Sequence, residues 1–209
     1  MAKVKSNFIN MVATLFVVTV GSGALLGLFN QLTAEAIATS QQKAQEEAIA
    51  SVLPSFEKLG DSYKMLPKGD KDSLEVFPAF DANNKKVGNA VKTYTNNGFS
   101  GLIEIMVGFD DENKISGFQV LKHQETPGLG SKMQEWFTPK MKGIDPFKTN
   151  MTVSKDGGDI DAITAATISS RAFLDAIRRA TKAVSNNTTS DGVSGASHQH
   201  KAKEGGNHE

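Results

Sequence analysis

The sequence predicts an α+β fold: a single N-terminal transmembrane helix followed by one domain in which an antiparallel sheet carries packed helices. Three observations lead there. A stretch of 29 residues, Ser6 to Ala34, carries no charge. Four short β-prone runs follow, separated by Asn, Asp and Gly turn chemistry, and behind them stands an amphipathic segment of helical period. The total of 209 residues suits one medium domain with appendages. With 23 basic and 23 acidic side chains the formal net charge is zero, which argues against nucleic acid as a partner. The chain has no cysteine, so disulfides, thiolate metal sites and a cysteine nucleophile are excluded, and any redox chemistry must come from a bound cofactor.

Within the uncharged stretch, Phe8 to Phe29 is apolar. At about 1.5 Å per residue this core spans roughly 33 Å, enough to cross a hydrocarbon layer of about 30 Å. Ala34-Glu35-Ala36 and Ala36-Ile37-Ala38 look like signal-peptide cleavage sites, but a signal's apolar region runs only about 7–15 residues, so the length favours a retained anchor in the lipid bilayer. Lys3 and Lys5 precede the span and Glu35 follows it before Lys43. The positive-inside bias then puts the N-terminus in the cytoplasm and everything after Phe29 on the outer side of the membrane. Residues 1–32 are accordingly the cytoplasmic N-terminus and anchor, in which Gly23 and Gly27 form a small face suited to close approach by another helix.

Thr33 to Leu53 is rich in Ala, Gln and Glu and stops at Pro54, which predicts a helical stalk with Ile37, Ala44, Ile49, Val52 and Leu53 as its buried positions. The predicted strands are Leu74–Phe80, Lys86–Thr95, Leu102–Phe109 and Lys114–Lys122, a meander whose turns fall at Asn83-Asn84, Asn96-Asn97-Gly98 and Asp110 to Asn113. Lys132 to Met141 places Met133, Trp136, Phe137 and Met141 at helical spacing, as core rather than cofactor cage, with Pro139 ending or bending the helix. A last helix, Ser169 to Val184, gathers Phe173, Leu174, Ile177, Ala180 and Val184 on one face. These elements make 33–184 the folded domain. Residues 185–209 are polar, hold His198, His200 and His208, and are expected to be disordered.

Two segments are not explained by periodicity. Asp161-Ala162-Ile163-Thr164-Ala165-Ala166-Thr167-Ile168-Ser169-Ser170 leads into the last helix. Its hydroxyls suit helix capping, and the same helix start suits an anion, because unpaired N–H groups and the positive dipole end lie there and Ala165 and Ala166 leave room for a phosphate. His123-Gln124-Glu125-Thr126-Pro127-Gly128-Leu129-Gly130 reads as a Pro-Gly turn from Thr126 to Leu129, with Gly128 at positive φ.

Asp161-x-x-Thr164-Ala165-Ala166-Thr167-x-Ser169 resembles the flavinylation motif of the FMN-binding domain family. The resemblance implies that a flavin transferase joins FMN to the Thr167 hydroxyl as a phosphoester, with Thr164, Ala165 and Ala166 shaping the phosphate site and Asp161 recognised by the transferase. Ala165 stands where Gly is more usual in the motif. The Glu125-Thr126-Pro127-Gly128-Leu129-Gly130 run resembles the loop that lies beside the flavin in membrane-anchored members, which implies ring contacts from its backbone N–H groups and tuning by Glu125 or His123.

With the anchor, the two motifs resemble the G subunits of Rnf complexes, ion-translocating ferredoxin:NAD⁺ oxidoreductases. The C subunits of sodium-pumping NADH:quinone reductases are the near alternative, and are generally longer chains. The resemblance makes 33–184 an extracytoplasmic FMN-binding domain that passes electrons among the other subunits of a membrane complex without being a self-contained catalyst. A non-redox anchored scaffold domain is the reading from a different class.

Overall fold

The computed structural model describes residues 8–188. Lys3 and Lys5, and the tail from residue 189 with its three histidines, lie outside the described residues. The described chain divides into two compact units, one ending at Glu47 and the other beginning at Ala48.

The first unit is helix. The predicted span and stalk are one uninterrupted helix, α1, Phe8–Val52, of 45 residues. It is long and apolar enough to cross a membrane. Its apolar side chains face outward, Leu15 being 66% and Leu26 72% exposed. The hydroxyls of Thr14, Thr19 and Thr33 donate to carbonyls four residues back, so these polar groups are satisfied within the helix, as a hydrocarbon surround requires. Two predicted burial positions are corrected: Ile37 is 50% exposed and Ala44 is exposed as well. Burial in α1 begins only at Ala48, because the Ala, Gln and Glu side chains before it form no apolar stripe.

The second unit is an antiparallel sheet with helices, the α+β arrangement predicted. Its strands are β1 (Lys58–Leu59), β2 (Tyr63–Met65), β3 (Leu74–Phe80), β4 (Lys86–Gly98), β5 (Gly101–Asp110) and β6 (Ile115–His123), in the order β1-β3-β4-β5-β6, with β2 also on β3. The short β1 and β2 were not legible as strands. Two hairpins are closed by the same device: Asp81 Oδ1 accepts from the N–H groups of Asn83 and Lys85, Asp110 Oδ1 accepts from those of Glu112 and Lys114, and Asn84 and Asn113 take φ near +60°.

The β4–β5 hairpin departs from expectation. β4 continues through Asn96 and Asn97, and the turn falls at Phe99-Ser100 between the paired Gly98 and Gly101. Asn97, read as a turn former, fastens the strand end instead: its amide donates to Asp175, as does the hydroxyl of the neighbouring strand residue Thr95.

Hydrophobic residues alternate across the sheet, so each face carries its own core. On one face Val91, Ile103, Ile105, Val107 and Phe109 pack under two helices, α2 (Met133–Met141) and α3 (Thr167–Thr188). Phe137 of α2 stacks on Phe173 of α3 with ring centroids 4.4 Å apart, and Phe118 meets Phe173 edge-on. Pro139 lies inside the last turn of α2, which ends two residues later. Trp136, predicted to be core, is half-buried and donates its indole N–H to the Asp161 carbonyl. α3 begins two residues before the predicted Ser169 and runs four past Val184.

On the other face Ala48, Ile49, Val52 and Leu53 cover Phe77, Ala79, Ala90 and Met106. The Val52 carbonyl accepts a 2.5 Å hydrogen bond from the Ser116 hydroxyl. It also lies so close to Gly108 that any side chain there would collide with it.

Candidate functional site

Between β6 and α2 the chain makes the predicted turn. Leu129 N–H donates to the Thr126 carbonyl at 3.2 Å, and Gly128 takes φ +77°, as the third position of a type II turn requires. A short 3-10 turn, Gly130–Lys132, follows. The loop amides are engaged locally: Glu125 N–H reaches His123 Nδ1 at 3.2 Å and Gly128 N–H reaches the Ser131 hydroxyl at 2.9 Å. Thr126, Pro127, Gly128 and Leu129 are exposed.

Glu125 points the other way and is only 4% exposed. Its Oε1 accepts from Ser100 N–H at 3.0 Å, and its Oε2 accepts from the Ser169 hydroxyl in the first turn of α3. A buried carboxylate needs such donors, since an unpaired charge in that position would be very costly. Gly130 is pressed into the same junction, where a Cβ would lie 2.7 Å from Glu125 Oε2 and would also collide with the Ser169 hydroxyl. Glu125 therefore joins the β4–β5 hairpin tip, the Pro-Gly loop and the start of α3.

The segment entering α3 turns at Ile163–Ala166, whose ends bond at 3.0 Å. Ala165 sits at φ +61°, a left-handed conformation that favours glycine. The hydroxyl groups here have separate tasks. Ser170 Oγ accepts from Ile163 N–H and donates to the Ala166 carbonyl, both at 2.9 Å, so it ties the incoming turn to the first turn of α3. Ser169 serves Glu125, and Thr164 is exposed. Thr167, the first residue of α3, is half-buried, and its hydroxyl lies 3.5 Å from the Lys155 ammonium.

Lys155 stands on a second 3-10 turn, Ser154–Asp156, which is tied down on both sides. The Ser154 hydroxyl donates to Asp161 Oδ1 at 2.7 Å, and Arg171 donates to both oxygens of Asp156 at 2.7 and 2.8 Å. The hydrogen bond from Arg171, and then its charge, hold the Asp156 carboxyl below the usual carboxylate range; Arg171 is raised reciprocally. Among the described residues no group of His and acidic side chains could hold a metal ion.

Residues 98–182 match the FMN-binding domain family, a span that runs from the hairpin tip through most of α3 and contains all three segments joined by Glu125. The G subunit of the ion-translocating oxidoreductase complex of Aliivibrio fischeri strain MJ11 is 35% identical over 187 residues, covering 82% of this chain and 86% of that protein. The chain belongs to the family of G subunits of ion-translocating oxidoreductase complexes. The Escherichia coli K12 member is 33% identical, with 80% of this chain and 86% of that one covered. The member from Methanosarcina acetivorans is 34% identical, with coverage of 84% and 93%. The crystal structure of Shewanella oneidensis NqrC aligns at TM-score 0.41 and 25% identity over 57% of this chain and 61% of that one.

Of the predicted site residues, the fold brings Glu125 to the same junction as the helix start that carries Thr167, and leaves Thr126, Gly128 and Leu129 on the exposed side of the turn. Asp161 faces the Lys155 turn. Sequence reasoning missed Ser100, Lys155 and the Asp156–Arg171 pair. Lys155 lies in a Ser-Lys-Asp-Gly-Gly run that reads as an ordinary loop, and only the fold carries it to Thr167.

Proposed function

We propose that this chain is the electron-carrying subunit of a membrane-bound ion-translocating ferredoxin:NAD oxidoreductase, working through FMN joined by a phosphoester to Thr167. The observation that carries this reading is the shared buried carboxylate: the two segments that resemble flavin motifs meet through Glu125 and Ser169. The residues present fit a flavin nucleotide. Thr167 offers an accessible hydroxyl at a helix N-terminus, where free N–H groups and the dipole favour a phosphate. Phe99, Leu129 and Ile168, one from each joined segment, are 65%, 39% and 48% exposed and suit an apolar ring.

When bound, FMN supplies chemistry that links one-electron and two-electron partners. The chain's own residues tether and orient it: Thr167 holds the phosphate, Thr164 and Ala166 shape the site, and Glu125 fixes the loop that carries Leu129. Attachment by a flavin transferase requires a flavin nucleotide with an activated phosphate. The Thr167 Oγ–P bond forms as the donor's phosphoanhydride P–O bond breaks, and the hydroxyl proton is released with the leaving phosphate. In this reading α1 crosses the lipid bilayer with its N-terminus in the cytoplasm and the domain in the periplasm. Electrons come from and go to other subunits of the complex, so the chain is not a self-contained catalyst.

The test is flavin fluorescence of the protein band after denaturing electrophoresis, with a flavin transferase present during expression. The wild-type chain and Thr167→Ser retain the signal, because both keep a hydroxyl. Thr167→Val, nearly isosteric but without an attachment atom, loses it entirely. Fluorescence persisting in Thr167→Val overturns the attachment site, and a dark wild-type band overturns the covalent flavin altogether.

A further inference from the structure

We propose that Lys155 is the counter-ion of the phosphate carried by Thr167, and that the Asp156–Arg171 pair keeps it available for that role. This rests on attachment at Thr167 and adds to it a residue outside both motifs.

The geometry begins with an exposed ammonium placed 3.5 Å from the reacting hydroxyl, the outer limit of a hydrogen bond. A Thr hydroxyl is a weak partner for a cation, whereas a phosphate oxygen at the same place would be a charge-assisted one. Lys155 is also not a free surface lysine by position. Ser154 before it is bound to Asp161, and Asp156 after it is bound to Arg171, so both neighbours on the 3-10 turn are fastened to the segment entering α3 or to α3 itself. Gly157 closes the turn at φ +81°, and Asn150 Nδ2 donates to its carbonyl.

The ion pair has a second consequence. Asp156 is the acidic group adjacent to Lys155 in the chain, and unoccupied it would compete for the ammonium. Arg171 takes both of its oxygens, which leaves the positive charge of Lys155 directed at Thr167. During attachment the same charge would stabilise the extra negative charge that develops on the phosphate oxygens as Thr167 Oγ attacks.

The experiment uses the full chain in detergent with the purified transferase and its flavin nucleotide donor, and reads the initial rate of covalent loading together with melting temperature before and after loading. Lys155→Gln is expected to slow loading by about tenfold or more, while Lys155→Arg, which keeps the charge, stays within about threefold of wild type. Arg171→Gln, which frees Asp156 to compete, also loads more slowly. Unloaded Lys155→Gln melts with unloaded wild type, but the rise in melting temperature on loading is smaller in the variant. Loading of Lys155→Gln at the wild-type rate, or an undiminished rise on loading, overturns the assignment. Thr167→Val run alongside separates the two questions: if it loads, the attachment site itself is wrong; if it stays dark while Lys155→Gln loads normally, only the counter-ion fails.

Discussion

The Pro-Gly loop and the segment entering α3 meet at one junction but use their polar groups in opposite ways. In the loop, Glu125 is turned inward and both carboxylate oxygens have donors, while the Glu125, Gly128 and Leu129 amides bond within the loop. Before α3, Ser170 and Ser169 are engaged internally, but Thr164 is left exposed and Thr167 is left beside a cation. Under the proposed function the two motifs are therefore required for different reasons, one to hold a surface in place and the other to react on it. The loop's acid ties three segments together, and in the proposed reading the threonine is the chemical group.

The largest effect that separates these roles comes from Glu125→Ala. It leaves the Ser100 N–H and the Ser169 hydroxyl without their acceptor in a buried place, and is expected to cost about 2–4 kcal/mol of stability by denaturant unfolding. Glu125→Gln keeps one acceptor and should cost about half as much, with the reduction potential of the loaded protein unchanged. A shifted potential at unchanged stability would reverse the comparison and return Glu125 to the flavin. The Ser169→Ala variant and the double variant with Glu125→Gln complete a cycle that isolates the pair.

A smaller effect sharpens the other side. Ala165 holds φ +61° with a Cβ, so Ala165→Gly should stabilise the domain by about 0.5–1 kcal/mol. That corresponds to a rise of about 1–4 °C in melting temperature. A fall would mean that the turn Ile163–Ala166 relies on the methyl group for packing.

The smallest concerns Asp156. Its carboxyl is lowered in the folded chain, so the pair with Arg171 contributes fully above the unfolded carboxylate value and is lost as pH falls through the folded one. The carboxyl carbon resonance of Asp156 should titrate at lower pH than an unperturbed aspartate, and Arg171→Gln should move its midpoint upward. An identical midpoint in both chains would show that the pair does not form in solution.

Much of the fold was legible because period and turn chemistry are local. The run Leu74–Phe80 matches its strand at both ends, and Asp81 to Lys85 and Asp110 to Lys114 make turns for the reason their side chains suggest. Failures came where a local signal served a distant partner. Asn96-Asn97-Gly98 looked like a turn, but Asn97 and Thr95 reach Asp175 on α3. Ile37 and Ala44 looked buried because helical spacing says which side chains share a face, not whether anything covers it. At the candidate site, Thr167 is proposed from its motif, whereas Lys155, 3.5 Å from it, carries no pattern of its own. The inward turn of Glu125 was equally hidden, since a carboxylate in a Pro-Gly loop is usually solvated.

The Val52 carbonyl, held by Ser116 and seated against Gly108, has a practical consequence for anyone wishing to release the domain from its anchor. The helix that leaves the membrane does not end as a handle attached to a finished domain. Its last turn is one of the domain's own walls, with Ala48, Ile49, Val52 and Leu53 closing the second core. A cut made after Pro54 would open that core to water and uncover Phe77 and Met106, whereas one made ahead of Ala48 keeps it shut. The border between anchor and soluble protein thus lies inside a single helix, at a place where no loop, proline or glycine announces it.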